Sequence, residues 1–466
     1  MHGSFFESCT FRFRDYIRNE KFYFQSPIFD DIVVKHLISI LSPQWHSYRE
    51  GEAVTLSTDQ KNLAKSTERA RHKVKGVAGS GKTQVLAARA VNAQIRTGGN
   101  ILLLTFNITL VNYLKMRLSK IRADFPWNKI HIDYYHRFFK KYADKFGLDV
   151  FFDSSYQDMD LFRDVADNLP KFDAIFIDEV QDYMTEWLQI IRRYFLKDKG
   201  EFVVFGDPKQ NIYERPLDKQ GDIRLGIIPG VWNTLKTGYR FTNPSLAGLS
   251  TAFQNRYSST FAEEIQRQPI APSELNYNII DYKFIEDTGP EEEIFQQVYR
   301  LCIDFIQANQ LRMQDVAIIG YQKHLLQWLD LKIRKEKQCE TTVTFERQEE
   351  ADLIQLQSPK GTYGYKRDTE RISKVHKNNF TVMTHKLKLS TIQSFKGWES
   401  PTIICIISNK RYASSTPTSI SDLIYTGITR AKENLLIINI GNPDFHPFFS
   451  KQIPPSSSAF PPLLLD

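Results

Sequence analysis

The sequence predicts an α/β protein built from two tandem domains, each with a parallel sheet flanked by helices. From about residue 73, short apolar or β-branched runs alternate with longer helical patterns, which is typical of a parallel sheet. A second alternating series begins near residue 276. Two runs, FDAIFID (172–178) and EFVVFGD (201–207), each end in an acidic residue, where doubly wound sheets place ligand-binding groups.

The length of the chain gives a prior on the number of domains, and its composition is that of a globular protein. Its 466 residues correspond to roughly three domains of about 150 residues each. Hydrophobic residues make up 41% and charged residues 25%, as in ordinary globular proteins and unlike disordered or collagen-like chains. The net charge of +7 is small for this length, so it permits a polyanionic partner without requiring one.

Cysteine usage and the absence of long apolar runs bear on the cellular compartment. The four cysteines lie far apart without a CxxC pair, which argues against a zinc site or a disulfide framework and favours a reducing compartment. The first residues, MHGSFFESCTFRFRDYIRNEK, are charged where a signal peptide is apolar, and no run reaches the roughly 18 apolar residues of a membrane span. We expect a cytoplasmic protein without a membrane partner.

The two predicted domains cover residues 51–245 and 246–466. Within them, residues 119–170 are rich in aromatic and basic side chains, and residues 336–385 are polar and weakly periodic. We interpret both stretches as insertions that project from the domains, the second one reduced in size. Two terminal segments complete the chain: an N-terminal segment of unknown role, 1–50, and a Pro- and Ser-rich tail expected to be flexible, 453–466.

A phosphate-binding loop is predicted at the first strand-to-helix junction. Gly76-Val77-Ala78-Gly79-Ser80-Gly81-Lys82-Thr83 matches GxxxxGK[ST] and follows a predicted strand. Glycines let successive backbone N–H groups face a phosphate, and the helix N-terminus adds partial positive charge. In such a loop Lys82 reaches the β- and γ-phosphates and Thr83 is a ligand of Mg²⁺. The loop alone leaves kinases, GTPases and helicases open as functions.

Two acidic residues follow the apolar run AIFI, so their carboxylates are expected at the sheet edge beside the loop. Asp178 can hold Mg²⁺, and Glu179 can orient and deprotonate an attacking water. A strand ending in such a pair is common, but its combination with the phosphate-binding loop indicates ATP hydrolysis.

Further segments, together with the loop and the acidic pair, resemble the UvrD/Rep/PcrA-like branch of superfamily 1 helicases. They occur in that family's order from residue 57 to about residue 440. The resemblance implies two RecA-like domains, in a compact form with reduced accessory domains, that close on ATP. The segments are Ser57-Thr58-Asp59-Gln60, Leu104-Thr105-Phe106-Asn107, Tyr134-Tyr135-His136, Gly206-Asp207-Pro208-Lys209-Gln210-Asn211-Ile212-Tyr213, Gly238-Tyr239-Arg240, the stretch from Thr391 to Glu399, and the stretch from Tyr425 to Lys432.

The resemblance assigns nucleotide roles to residues of both domains. Gln60 would read adenine, Tyr239 would stack on it, and Glu399 would bind the ribose. Gln210 and Arg240 would contact the γ-phosphate, and Arg430 would be a second arginine finger. The implied catalytic set is Lys82, Asp178, Glu179, Gln210, Arg240 and Arg430; the implied nucleotide-binding set is Gln60, Gly76, Gly79, Ser80, Gly81, Lys82, Thr83, Gln84, Tyr239 and Glu399; the Mg²⁺ ligands are Thr83 and Asp178.

The resemblance also implies a path for nucleic acid. Its predicted contacts are Phe106, Asn107, Tyr135, His136, Tyr213, Thr391, Ser394 and Lys396. Residues 115–141 interleave basic and aromatic side chains, which suits phosphate tracking and base stacking. For a second basic run, 360–377, a solvated helix face and nucleic-acid contact are equally supported. The sequence departs from the family at Gln393, which replaces a histidine, at Trp398, which replaces a leucine, and at Arg215, which replaces a tryptophan.

The resemblance implies an ATP- and Mg²⁺-dependent translocase or helicase that moves 3′→5′ on single-stranded or tailed DNA, in repair, recombination or anti-phage defence. Two alternatives stay open: an ATPase switch that signals to a partner nuclease, and an RNA helicase. The sequence leaves the oligomeric state open.

Overall fold

The computed structural model describes residues 45–52, 55–77, 79–150, 155–210, 212–213, 223, 225, 228, 230–238, 244–257, 266–267, 279–382, 384–409 and 419–454. Tyr239 and Arg240, both predicted nucleotide contacts, lie outside the described residues, as do residues 1–44 and 455–466.

The first half of the chain forms a six-stranded parallel sheet. Its strands are β1 (Arg71–Gly76), β2 (Ile101–Thr105), β3 (Ile130–Tyr134), β4 (Phe172–Ile177), β5 (Leu196–Gly206) and β6 (Trp232–Leu235). Their order across the sheet is β3-β2-β4-β5-β1-β6. The central strands β2 and β4 are mostly apolar because helices cover both faces of the sheet.

Helices connect these strands and cover the sheet. They are α1 (Thr58–Ala64), α2 (Lys82–Thr97), α3 (Leu110–Ser119), α4 (Tyr135–Lys145) and α5 (Thr185–Phe195). A two-residue pairing of Trp45–His46 with Phe125–Pro126 lies beside them. We call this sheet and its helices the first lobe.

The second half of the chain repeats the architecture as the second lobe. Its six parallel strands are β7 (Ile280–Ile285), β8 (Val316–Gly320), β9 (Thr341–Val343), β10 (Leu387–Thr391), β11 (Ser400–Ser408) and β12 (Ala431–Ile440), in the order β7-β12-β11-β8-β10-β9. Its helices are α6 (Pro244–Tyr257), α7 (Glu291–Ala308), α8 (Lys323–Lys337), α9 (Gln348–Gln357), α10 (Tyr363–Asn379), α11 (Ile392–Phe395), α12 (Ile420–Ile428) and α13 (His446–Gln452). A short parallel pairing of Thr237–Gly238 with Gln266–Arg267 adds to these elements.

The prediction of two α/β domains with parallel sheets is confirmed by this arrangement within the described residues. Among those residues, the structure offers no helix with the length and apolarity needed to cross a membrane.

The predicted insertions need correction where they contribute strands. Residues 119–170 include β3, which pairs with β2 along the edge of the first sheet. Residues 336–385 include β9, which pairs with β10 at the edge of the second sheet. Both strands are short edge strands with polar positions, so they lack the continuous apolar pattern of the central strands. The rest of the second stretch holds the helical hairpin α9–α10.

A shared core joins the two lobes. Leu110 and Tyr113 of α3, from the first lobe, pack into the same buried cluster as Phe395 and Trp398 of the second lobe. The rings of Tyr113 and Trp398 meet edge to face with centroids 5.1 Å apart. Trp398, which departs from the family's leucine, is fully buried and thus fills the space between the lobes.

Candidate nucleotide site and interlobe cleft

The loop between β1 and α2 has the backbone geometry of a phosphate cradle. Gly79 and Gly81 have φ angles of +77° and +80°, in the left-handed region that side chains rarely adopt. A Cβ on Gly81 would lie 2.6 Å from the Nε2 atom of Gln60. The Ser80 hydroxyl is buried without a hydrogen-bond partner in the described structure. A bound phosphate would satisfy such an orphaned group, so the loop fits a nucleotide.

Lys82 lies at the start of α2 with its ammonium turned across the loop. The Nζ atom donates to the carbonyl oxygens of Gly76 at 2.6 Å and Val77 at 3.3 Å. It also lies 3.6 Å from the Oδ2 atom of Asp207 at the end of β5. These contacts hold a positive charge at the mouth of the loop, as phosphate binding requires.

Thr83 and Asp178 come together from α2 and the end of β4. The Thr83 hydroxyl donates to Oδ2 of Asp178 at 3.0 Å. Burial and the neighbouring Glu179 raise the pKa of the Asp178 carboxyl to about 7, although Thr83 and Lys82 oppose this shift. A hydroxyl and one carboxylate suit Mg²⁺, which prefers few protein ligands together with phosphate oxygens and water. The described residues contain no group of three or more His, Cys, Asp or Glu side chains arranged for a metal ion.

Glu179 follows Asp178 in a left-handed backbone conformation with φ +54°. A non-glycine residue rarely adopts this conformation, and strain of this kind is concentrated at functional sites. The backbone N–H of Glu179 donates to Oδ1 of Asp178 at 3.0 Å, and the Gln181 amide donates to the Glu179 carboxylate. The carboxylate is therefore fixed beside the candidate metal ligands.

A chain of hydrogen bonds connects the site residues of the first lobe with a residue of the second lobe. Gln210 donates from Nε2 to Oδ2 of Asp207 at 2.8 Å. Its Oε1 atom accepts from Nη2 of Arg430 at 3.0 Å. Arg430 is only 2% exposed, and its Nε atom donates to the Thr426 carbonyl. The structure thus brings Arg430 to the residues around Lys82, although the two residues are separated by most of the chain.

Lys396 makes a second link between the lobes, and its ammonium has partners within the protein. Its ammonium was expected on nucleic acid, but it donates to Oδ2 of Asp182 at 2.7 Å and to the Gln210 carbonyl at 2.8 Å. It also lies 3.8 Å from Oε2 of Glu179. Because its side chain is 2% exposed, Lys396 is a buried cation among the acidic groups of the first lobe.

Three other predicted nucleotide contacts have defined surroundings. Gln60 caps α1 by accepting from the Ser57 N–H and donates to the Ser80 carbonyl at 2.9 Å, so it buttresses the phosphate-binding loop. Gln84 is buried on α2, and its Oε1 atom has no hydrogen-bond partner in the described structure. Glu399 accepts from Arg117 of the first lobe at 3.0 Å and lies 2.8 Å from Lys432.

A cleft of about 1520 Å³ opens between the lobes next to this site. Phe106 forms part of an aromatic wall, with its ring centroid 5.1 Å from Tyr213 and 5.8 Å from His136. The structure brings most of the predicted nucleic-acid contacts to this cleft: Phe106, Asn107, His136, Tyr213, Thr391, Ser394 and Lys396 line it.

Tyr135 is the exception. Its side chain is fully buried, stacks on Trp187 with centroids 4.7 Å apart and donates its hydroxyl to the Tyr156 carbonyl. The prediction that Tyr135 contacts nucleic acid is therefore wrong, because the ring belongs to the core of the first lobe. Its neighbour Tyr134 lines the cleft instead.

Asn107 ties the floor of the cleft to the second lobe. Its Nδ2 atom donates to the carbonyl oxygens of Gln393 at 2.8 Å and Ser394 at 3.2 Å. The Thr109 hydroxyl donates to the same Ser394 carbonyl at 2.7 Å. Two of the segments predicted to contact nucleic acid are thus hydrogen-bonded to each other across the lobes.

Comparison with known proteins adds one match, which covers part of the first lobe, to this geometry. Residues 60–216 match a protein-family model described as an AAA domain. A search of curated proteins finds no match. The matched segment includes the phosphate-binding loop, both acidic residues and Gln210, and it supports a P-loop ATPase of the helicase superfamily.

Sequence reasoning did not assign roles to two acidic residues that organise the site. Asp207 joins Lys82 to Gln210, and Asp182 binds Lys396. Both lie inside segments that the sequence singles out, at the ends of β5 and just after β4. A search for every carboxylate at the carboxyl ends of the strands would have found them.

Proposed function

We propose that the protein is an ATP- and Mg²⁺-dependent translocase or helicase that moves on single-stranded or tailed DNA. The observation that carries the proposal is the chain of contacts from Lys82 through Asp207 and Gln210 to Arg430. It makes one ATPase site out of two lobes, directly beside a cleft lined by aromatic and basic side chains. The 3′→5′ direction and a role in repair, recombination or anti-phage defence follow from the family resemblance.

Each residue of the site has a task that its position supports. The loop from Gly76 to Thr83 and the ammonium of Lys82 bind the phosphates. Thr83 and Asp178 would hold Mg²⁺, which supplies positive charge to the phosphate oxygens when it is bound. Glu179 accepts a proton from the attacking water, and the guanidinium of Arg430 stabilises negative charge near Gln210.

The coupling to movement rests on the parts that the site shares with the cleft. Lys396 touches Asp182 and Gln210 and also lines the cleft, within the same segment as Thr391 and Ser394. A change in the spacing of the lobes during the ATPase cycle would therefore alter the cleft. This is the requirement for converting hydrolysis into stepwise motion.

A displacement assay tests the proposal. Duplexes with a 3′ or a 5′ single-stranded tail and a labelled strand are incubated with the protein, with and without ATP and Mg²⁺. We expect ATP-dependent displacement from the 3′-tailed duplex and ATPase activity that rises with single-stranded DNA. Lys82→Ala, which removes the phosphate-binding ammonium, should lose both activities.

The other outcomes distinguish the alternatives. DNA-stimulated ATPase activity without displacement or translocation would contradict the proposal and favour a switch that signals to a partner nuclease. Stronger stimulation by RNA than by DNA of the same sequence would favour an RNA helicase, since backbone contacts and stacking do not by themselves distinguish the two sugars.

A further inference from the structure

Two helices present basic side chains to opposite sides of the cleft. Helix α4 belongs to the first lobe and helix α10 to the second. Six basic side chains from the two helices line the cleft, against the two acidic side chains Asp144 and Glu370. The basic residues are Arg137, Lys140 and Lys141 on α4, and Lys366, Lys374 and Lys377 on α10.

The cleft-lining residues of α10 share one face of the helix. Lys366, Glu370, Ser373, Lys374 and Lys377 follow one another at three- or four-residue spacing, apart from the adjacent pair 373–374, and all line the cleft. Arg367 and Arg371 of the same helix are exposed but do not line it. The positive charge at the cleft is therefore a property of one face and not of the whole helix.

The three lysines on this face form no ion pair with a residue in the described part of the chain. On α4, Arg137 is paired with Asp133 and Lys140 with Asp144. In contrast, none of Lys366, Lys374 and Lys377 forms an ion pair with a described residue. The ammonium of Lys374 lies 5.9 Å from the centroid of the Tyr134 ring, across the cleft on the first lobe.

The positive charges are also crowded at one end of this face. Burial and the ammonium of Lys323 lower the pKa of Lys377, although the carboxylates of Glu346 and Glu370 partly oppose this shift. Lys323 lines the cleft as well and is paired with Glu346. An anion bound between these lysines would relieve their repulsion.

Helix α10 is held in place by both lobes. Asn112 of α3 donates to the carbonyl oxygens of Asn378 at 2.7 Å and Phe380 at 3.1 Å, just where the helix ends. Phe380 is fully buried among Phe395 and Trp398 of the second lobe. The lysine face is thus a fixed wall, opposite the aromatic residues of the first lobe.

We propose that Lys366, Lys374 and Lys377 of α10 bind the phosphate backbone of a single strand that lies in the cleft. This proposal rests on the proposed function and adds a binding wall outside the family-like segments. Lysines act as point charges, so the wall holds the strand without reading its sequence. It decides between the two interpretations of residues 360–377 in favour of nucleic-acid contact for this face.

Phosphate binding by these lysines is tested by fluorescence anisotropy. A labelled oligothymidylate is titrated with the full chain over a series of salt concentrations. The variant carries Lys366→Gln, Lys374→Gln and Lys377→Gln together. A single-stranded phosphate contact contributes about 0.7 to the slope of log affinity against log salt, so the slope should become shallower by about 2. Affinity near physiological salt should fall by about tenfold or more.

A matched triple variant tests whether the position of the removed charges matters, and not only their number. Lys360→Gln, Arg367→Gln and Arg371→Gln remove the same charge from exposed positions that do not line the cleft, and we expect wild-type affinity and slope. Thermal unfolding checks that both triples are folded, and Lys374→Gln alone should lower the slope by about 0.7. If the α10 variants bind like the wild type with an unchanged slope, the proposal that these lysines bind phosphates is wrong, but the proposed function is not affected. Failure of the wild-type protein to bind the strand would overturn the proposed function as well.

Discussion

Asp178 holds a carboxyl group where little water reaches it. The residue is 3% exposed, and its burial next to Glu179 raises its pKa to about 7. Without a cation the charged form is therefore disfavoured in the folded state. In the proposed Mg²⁺ site a bound cation would reverse this preference, and without the cation the buried charge lowers folding stability.

Replacing Asp178 with Asn tests whether the negative charge of this carboxylate lowers the folding stability. The pKa of this carboxyl is higher in the folded state than the ordinary value of 3.8. The free energy of unfolding of the protein therefore falls as the pH rises from about 4 to above 7. Asp178→Asn should therefore raise the melting temperature at pH 8 in metal-free buffer, and the gain should shrink as pH falls toward 4. ATPase activity should be lost.

The matched control is Asp149→Asn, which changes an exposed carboxylate and should leave the melting temperature nearly unchanged at every pH. A melting temperature of Asp178→Asn that is lower than that of the wild type at pH 8 would contradict the explanation.

Two neighbouring residues show how far sequence reasoning reaches at this scale. Tyr135 and His136 were predicted as a pair, yet only His136 lines the cleft. Helix α4 begins at Tyr135, and successive helical residues point about 100° apart, so one ring enters the core while the next faces the cleft. A motif match fixes the segment, whereas the exact start of the helix fixes which side chain is presented.

Among the elements, the turn after α11 shows how closely the lobes approach. Gly397 has φ +88°, and a Cβ there would lie 2.9 Å from Cδ1 of Leu110 on α3, in the other lobe. Both the backbone conformation and the space between the lobes therefore require glycine at this turn.

Gly397→Ala is expected to destabilise the protein and to reduce stimulation of the ATPase by DNA. A left-handed alanine costs about 1–2 kcal/mol, and the clash with Leu110 adds about 1–3 kcal/mol. Gly98→Ala is the matched control, because Gly98 has φ +62° with nothing near a Cβ. Chemical denaturation of both variants separates the two costs, and equal destabilisation would contradict an interlobe clash.

The elements also show why some strands escaped prediction. Strands with continuous apolar runs were predicted, such as β2, β8 and β11, whereas the interior strand β10, with the sequence LKLST, has polar positions and was not. The edge strand β3, with the sequence IHIDY, has polar residues at its second and fourth positions and lies in a basic, aromatic stretch. Such a pattern does not separate a short edge strand from a projecting loop, so the alternation predicts the sheets better than their borders.

In the molecule as a whole, the buried polar contacts between the lobes are the main constraint on how the lobes are placed relative to each other. Lys396 and Arg430 enter from the second lobe and bind Asp182 and Gln210 of the first. The pattern of each half predicts its own sheet, and family motifs predict one shared site. The hydrogen bonds at that site depend on the relative placement of the lobes, which neither periodicity nor motif spacing specifies.

Lys396→Ala should destabilise the whole protein, because it leaves Asp182 buried without its cationic partner. Removal of one member of a buried pair costs about 3–5 kcal/mol. Lys432→Ala, at the partly exposed pair with Glu399, should cost less than about 1 kcal/mol. Denaturant unfolding followed by tryptophan fluorescence compares the two variants. A similar, small effect for both would show that the Lys396 contact adds little.

The placement of Lys396 also limits how this chain can be rearranged. A chimera that pairs its first half with a second half lacking a lysine at position 396 would leave the buried carboxylate of Asp182 without this cation. Recombination is then tolerated only when residues 182 and 396 are inherited together. In protein engineering, an exchange of either half should therefore keep both Asp182 and Lys396.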